Sequence, residues 1–233
     1  MSCTDLLRCC AFLEDGFAAI RTSDAWRLGA VLLARHGDRF CLVRKAKKAD
    51  YAFSAMWSLP GGMVRSSHSR GEGGRFDNRM VRKSLEVRVL AEAGIAATDC
   101  THWQAEDGIG PIVTHYRAAG QDRYTLVAVQ SCHVGEPHDV GGSDAPTSID
   151  AVVWTDIDSI SWDRVAPANR VILAHLLWAT LGDGLRERAA GAVSEALRNC
   201  SYWNAHCGFA AIPAPWSDPV LLTSWRSSWS IVR

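Results

Sequence analysis

Between Trp57 and Ile95 the chain carries residue types that can hold an anion or a cation. Pro60-Gly61-Gly62 follows the short run Trp57-Ser58-Leu59. Proline has a fixed φ and no amide proton, so it ends a strand, whereas glycine reaches positive φ and lets a ligand approach the main chain. Backbone groups of Gly61 and Gly62 are thus available to a phosphate or a metal. Downstream, Arg88 and Glu92 precede Gly94. Four residues apart on a helix, they share one face. The spacing predicts an ion pair between them, whose guanidinium would repel a divalent ion placed at Glu92.

Cations dominate this neighbourhood, although the whole chain balances 25 Lys+Arg against 25 Asp+Glu. Arg44-Lys45-Ala46-Lys47-Lys48 stands before the glycines. After them, Arg65, Arg70, Arg75, Arg79, Arg82, Lys83 and Arg88 accompany only Glu72, Asp77 and Glu86. This local excess favours an anionic ligand, with Arg44 and Arg65 placed to meet its oxygens. A solvated charged surface is the other reading of the same pattern.

Two further constellations carry less. His133 and His138 with Glu136 and Asp139 lack a recognised metal-ligand spacing. Cys132 and His133 are adjacent in a strand pattern and point to opposite faces, so they cannot act as nucleophile and base. The 8 cysteines form no C-x-x-C pair, and buried reduced thiols are the expectation.

The elements that must position these residues are legible as alternating and helical patterns. Leu28–Arg35 and Arg39–Arg44 form a hairpin across His36-Gly37-Asp38. An amphipathic helix ends at Gly94. Strands follow at Asp99–Gln104, Ile112–Arg117, Tyr124–Ser131 and Ala151–Thr155, the second and third pairing across Ala119–Asp122. Asp156–Trp162 turns into a short helix, and helices are expected over Pro167–Leu181 and Leu185–Cys200. A short N-terminal helix before Gly16 and a tail with Trp203, Trp216, Trp225 and Trp229 complete the chain. Four such rings cannot all remain in water, so they cover the domain or form a homodimer contact.

A chain of 233 residues with 48% hydrophobic and 21% charged residues suits a globular protein with one main domain. Zero formal net charge gives no global attraction to nucleic acid, and no apolar run reaches membrane-spanning length. The N-terminus, interrupted by Asp5, Arg8, Glu14 and Asp15, does not fit a secretory signal, so the cytoplasm is expected.

The strand, Pro-Gly-Gly loop and Gly-closed helix resemble the Nudix hydrolase superfamily, with a degenerate box. In that family's pattern an Arg-Glu pair, an aliphatic residue, any residue and a Glu-Glu pair precede the closing glycine. Here the corresponding positions are Val87-Arg88, Val89 and Ala91-Glu92, so Glu92 alone keeps its carboxylate. Gly62 and Gly94 stand about eleven residues farther apart than in the pattern, which places an insertion at Ser66–Asp77. Gly71-Glu72 within it could supply a displaced metal ligand.

The resemblance implies an α/β fold, a Nudix-like α/β/α sandwich with a mixed central sheet, followed by a helical and Trp-rich C-terminal extension. Residues 1–27 would pack on a Nudix-like domain at 28–181, with 182–233 beyond it. It further implies Mg2+ or Mn2+ at Glu92, the Gly61 carbonyl and Glu72, with one more carboxylate from Glu106, Asp107, Glu136, Asp139 or Asp144. Glu92 and Arg88 would be catalytic, and Arg44, Gly61, Gly62 and Arg65 would bind substrate. The function expected is hydrolysis of a diphosphate linkage in a nucleotide-like substrate, and the alternative is a degenerate relative that binds an anionic ligand or partner. A third reading, metal-independent biosynthetic chemistry in the same pocket, belongs to the enzyme class but not to hydrolysis.

Overall fold

Strand β1 (Trp26–His36) is apolar almost throughout, and Leu28, Ala30, Leu32, Leu33 and Ala34 are all essentially inaccessible. Successive strand residues face opposite ways, so burial of both sets means that both faces of β1 are covered. A two-residue turn with Gly37 at φ 56° joins it to β2 (Arg39–Lys45). The remaining strands are β3 (Trp57–Ser58), β4 (Gly61–Met63), β5 (Cys100–Ala105), β6 (Ile112–Ala118), β7 (Gln121–Val134) and β8 (Ile149–Asp156). Helices α1 (Asn78–Ala93), α2 (Pro167–Leu177) and α3 (Asp183–Asn199) accompany them. This structure, a computed structural model, describes residues 26–47, 54–64, 78–106, 112–118, 121–137, 148–177 and 180–199. The N-terminal segment, Arg65, the insertion carrying Glu72, and the Trp-rich tail therefore lie outside the described residues.

The strands form one mixed sheet with the path β3-β2-β1-β7-β5, to which β8 adds on β2, β4 on β1 and β6 on β7. β1 and β7 run parallel from Trp26↔Tyr124 to Arg35↔His133, while the other named ladders are antiparallel. The expected α/β class with a mixed central sheet is the one found.

One irregularity in this sheet creates the site. The β1–β2 hairpin pairs Arg35 with Phe40, and in continued register Lys45 would lie opposite Ala30. Gly62 takes that partner instead. β4 is wedged along the N-terminal half of β1, and β2 diverges to pair with β8 and β3. The end of β2 is thereby brought beside β4 across a fork.

Helix α1 lies over the fork. Val81, Leu85 and Val89 recur every fourth residue and are buried, with Ser84 and Glu92 on the same side. Lys83, Val87 and Leu90 face outward. Gly94 stops the helix at φ 66°, its N–H donating to the Leu90 carbonyl at 3.0 Å. A left-handed residue there costs glycine nothing sterically.

The helix expected over Pro167–Leu181 ends at Leu177, and the next begins at Asp183 instead of Leu185. Arg170, 5% exposed, ties this region together. It donates to the carbonyls of Val165 at 2.7 Å, Asp163 at 2.7 Å and Ala192 at 3.3 Å. Each is a main-chain acceptor that would otherwise be shielded from water. Replacing Arg170 by Met should therefore lower the unfolding free energy by about 2–4 kcal/mol, as read from urea denaturation. A loss well under about 1 kcal/mol would show that the carbonyls find other partners.

Candidate functional site

The glycine strand is held from two sides before any ligand is considered. The Leu59 N–H donates to Asn169 Oδ1 at 2.9 Å, a buried bond from the strand approach to α2. Leu32 N–H donates to the Pro60 carbonyl at 3.0 Å, and Val64 N–H to the Leu28 carbonyl at 2.8 Å. In an antiparallel ladder these bonded residues alternate with unbonded ones. Gly61, opposite Val31, falls at an unbonded position and turns its amide away from β1.

That amide donates to Glu92 Oε2 at 3.0 Å. Gly61 has φ 148°, and a side chain there would collide with the Ala30 carbonyl oxygen and lie 2.8 Å from Val31 Cα. Only glycine permits this approach to β1. At Gly62 the nearest atoms to the added one would belong to the Arg88 side chain, Nε at 3.5 Å and Cζ at 3.6 Å, an ordinary contact. The two expected helix residues thus face consecutive glycines, Glu92 against Gly61 and Arg88 beside Gly62.

The predicted ion pair between Arg88 and Glu92 is not what forms. Lys45 Nζ donates to Glu92 Oε1 at 3.0 Å, with the lysine side chain 15% exposed and the glutamate side chain 4%. Among the described residues, Arg88 makes no ion pair. The reason is position. Helix spacing brings Arg88 and Glu92 to one face, but the fork brings an ammonium directly to the carboxylate, whose second oxygen is taken by an amide. A buried carboxylate gains far more from a close, partly desolvated cation than from an exposed helix pair.

Lys45 is the site residue that sequence reasoning passed over. The signal lay in β2, where Cys41 and Val43 are buried and Lys45, two residues on, continues their face. Arg44 points the other way. Its Nε donates to Asp150 at 2.7 Å, and its guanidinium lies 5.4 Å from the Trp57 ring centroid. The structure therefore does not bring Arg44 to Glu92. Arg82 bonds Glu86 at 3.0 Å and covers the Trp103 ring at 4.9 Å. Asn169, which holds the strand before Pro60, gave no sequence signal at all.

The remaining groups also find local roles. Glu106 accepts from Ser131 Oγ and from Gln104 Nε2 at 2.8 Å. His133 is exposed and meets the His102 ring edge-on at 5.7 Å, whereas Cys132 is buried, as their adjacency predicts. His138, Asp107, Asp139 and Asp144 lie outside the described residues. Cys41 is fully buried on the Glu92 side of β2. Burial first, and the negative charge of Glu92 second, push its thiol from the usual 9.0 to about 12.

A divalent cation needs several anionic or carbonyl oxygens converging on one point. Here both oxygens of Glu92 already accept N–H donors, and Gly61 meets Glu92 through its amide. No three His, Cys, Asp or Glu side chains among the described residues form a metal-binding group. The residues described do not fit the Mg2+ or Mn2+ that the resemblance implies.

Gly61→Ala should destabilise the protein by about 3 kcal/mol or more, while Gly62→Ala should stay within about 1 kcal/mol, by thermal or urea denaturation. Equal effects would contradict the tight approach of Gly61 to β1. Cys41 supplies a pH test. Its folded value lies above its unfolded one, so its contribution is intact below pH 9.0 and is lost as pH rises toward about 12. Stability should fall in that window by up to about 1.4 kcal/mol per pH unit, and this part of the slope should vanish in Cys41→Ala.

No family model and no curated protein matches the chain. Solved structures do resemble it. A MutT Nudix hydrolase from Burkholderia pseudomallei is 20% identical, with a TM-score of 0.44 over 64% of this chain and 95% of that one. A MutT protein from Methanosarcina mazei is 14% identical, with a TM-score of 0.44 over 66% and 94%. The Nudix domain of Shewanella oneidensis NrtR, crystallised with ADP-ribose, is 10% identical, with a TM-score of 0.41 over 64% and 82%. The solved structures to which this chain is similar thus include Nudix proteins, the family its glycine turn and helix resemble in sequence.

Proposed function

We propose that this protein is a Nudix-type binder of a nucleotide-like diphosphate, in which protein cations perform the charge neutralisation. The observation that carries the reading is the placement of Lys45 and Arg88 beside the consecutive glycines Gly61 and Gly62. Glu92 balances only one of them, so the group retains one positive charge. An ammonium and a guanidinium beside the glycine main chain suit a diphosphate, whose oxygens accept charge-assisted bonds from both.

Arg88 would make the principal contact, because its fork of donors is not committed to a carboxylate among the described residues. Lys45, already bonded to Glu92, has two further ammonium hydrogens to offer. Gly62 lets the Arg88 guanidinium lie over the strand, where an added Cβ would touch its Nε at 3.5 Å. Arg65, just before the inserted segment, would add a further cation to the ligand contacts in this reading. Arg44, paired with Asp150 on the opposite face of β2, would not take part.

Hydrolysis of the bound diphosphate is the second reading, favoured by the retention of Glu92 at the helix position that faces the glycine strand. Its carboxylate is occupied by Lys45 and Gly61, so it positions the cradle and is not available to take a proton from water. Binding is therefore the function that this arrangement supports best. No helix among the described residues is long and apolar enough to cross a membrane, and a small anionic ligand is the proposed partner.

Calorimetric titration with ADP-ribose in the presence of EDTA tests the reading. Binding should persist without divalent metal, and Arg88→Gln should weaken it by about 10-fold to 100-fold. Binding that requires added Mg2+, or that is indifferent to Arg88→Gln, overturns it. Assaying AMP and ribose 5-phosphate formed from the same ligand separates the second reading from the first.

A further inference from the structure

Strand β5 carries Cys100 and strand β7 carries Cys132, and the register brings both to one face of the sheet. Cys100 lies opposite Val134. Residues directly opposite in a ladder point the same way, and so do residues two apart in a strand, which makes Cys132 the diagonal neighbour of Cys100 on that face. A hydrogen bond joins the two side chains, and the charge of Arg82 on α1 reaches both. Both cysteines are free.

Their surroundings differ. Cys132 is 1% exposed, with the inaccessible Ala34 of β1 beside it in the parallel ladder. Cys100 is only half-buried, and its Sγ lies 3.4 Å from the Ala96 carbonyl oxygen, to which it donates when protonated. The bond from Cys132 holds the Cys100 thiol below its usual value, against burial and the carboxylates of Asp99 and Glu86, with Arg82 assisting. The same bond first, and burial second, push the Cys132 thiol up, so Cys132 is the protonated donor. A thiolate within reach of solvent is thus backed by a second, buried thiol, the arrangement in which a sulfenic acid is resolved to a disulfide.

A disulfide needs its backbones about 1 Å closer than a diagonal pair in a regular ladder. This ladder is not regular. Its register shifts between Thr101 and Gln104, and His102, inside the shift, has φ 52°. The bulge separates the segment carrying Cys100 from the rest of β5, so that segment can move toward Cys132 on its own.

We infer that Cys100 and Cys132 form a dithiol oxidised by hydroperoxides, with Cys100 the attacking residue and Cys132 the resolving one. The Cys100 sulfur attacks the peroxide, forming an S–O bond and breaking the O–O bond, and the departing hydroxide takes from solvent the proton that Cys100 had released. The Cys132 sulfur then displaces hydroxide from the sulfenic acid, forming the S–S bond, and its own proton leaves with that hydroxide as water. Two electrons pass from the two thiols to one peroxide. The product ties β5 to β7 and withdraws the donor from the Ala96 carbonyl. The dithiol shares no residue with the glycine cradle and needs no diphosphate, so each reading can fail without the other.

The test adds hydrogen peroxide to the folded, fully reduced chain, caps the remaining thiols with iodoacetamide under denaturing conditions and maps the peptides by mass spectrometry. A Cys100–Cys132 linked pair should appear, lighter by two hydrogens than its reduced parts and lost on treatment with dithiothreitol. Cys41, buried and with its thiol pushed up to about 12, should be capped as a free thiol in the same sample. With dimedone present during oxidation, Cys132→Ala should carry the adduct on Cys100, and Cys100→Ala should carry none on Cys132. Overturning results are a native chain without the Cys100–Cys132 linkage, a folded Cys132→Ala protein with no adduct on Cys100, or a folded Cys100→Ala protein with an adduct on Cys132. Should a variant not fold, the wild-type chain decides: the linkage supports the inference, and its absence refutes it.

Discussion

A carboxylate taken out of water must be given partners, and at Glu92 those partners come from three separated parts of the chain. Its two oxygens accept from the Gly61 amide and the Lys45 ammonium, while its own backbone belongs to α1. One side chain thereby joins the end of β2, the start of β4 and the last turn of a helix. Removing either partner would leave a charge or an acceptor unpaired in a medium of low effective dielectric, a cost of several kcal/mol. The arrangement is consequently all-or-none. If Glu92 is charged and buried, Gly61 and Lys45 must be where they are.

That constraint explains features that would otherwise look unrelated. Gly61 must come close enough to β1 to exclude any side chain, because only then does its amide point outward to Glu92. β4 must occupy the place on β1 that the hairpin would have given to Lys45, because only then is the ammonium set beside the strand. Asn169 secures the approach to the turn from α2, so the glycines are fixed from both directions. Hydrophobic burial along Val81, Leu85 and Val89 supplies the adhesion of α1 to the sheet. The polar contacts set its register.

The electrostatic character of the site follows from the same contacts. Clustered carboxylates recruit divalent metal; one carboxylate neutralised by an ammonium does not, and it leaves neighbouring cations free to attract anions. Arg88 beside Gly62 is such a cation. In the proposed reading, protein cations would meet ligand oxygens directly, where acidic side chains would route charge neutralisation through a metal. The low polarity around Glu92 also reaches Cys41, whose raised thiol reports the same buried negative charge.

Much of this was legible in the chain before folding. Continuous apolar runs on either side of a Gly-containing turn specified the β1–β2 hairpin, Gly94 closed α1, and the four-residue interval put Arg88 and Glu92 on one face against the glycines. These are local properties, set by φ preferences and by the periods of strand and helix. The partner of Glu92 was not legible. Helix spacing nominated Arg88, and the ion partner is Lys45, 47 positions away. Likewise Arg44, expected at the ligand, turned to Asp150, 106 positions distant, and Asn169 came from 110 positions away to hold Leu59. Such contacts depend on which strand wins a shared edge of β1, a competition among segments that no local pattern encodes. Sequence by itself determined the cradle and its carboxylate; only the tertiary structure decided which cation neutralises it, because burial rewards the nearest charge in space over the nearest in sequence.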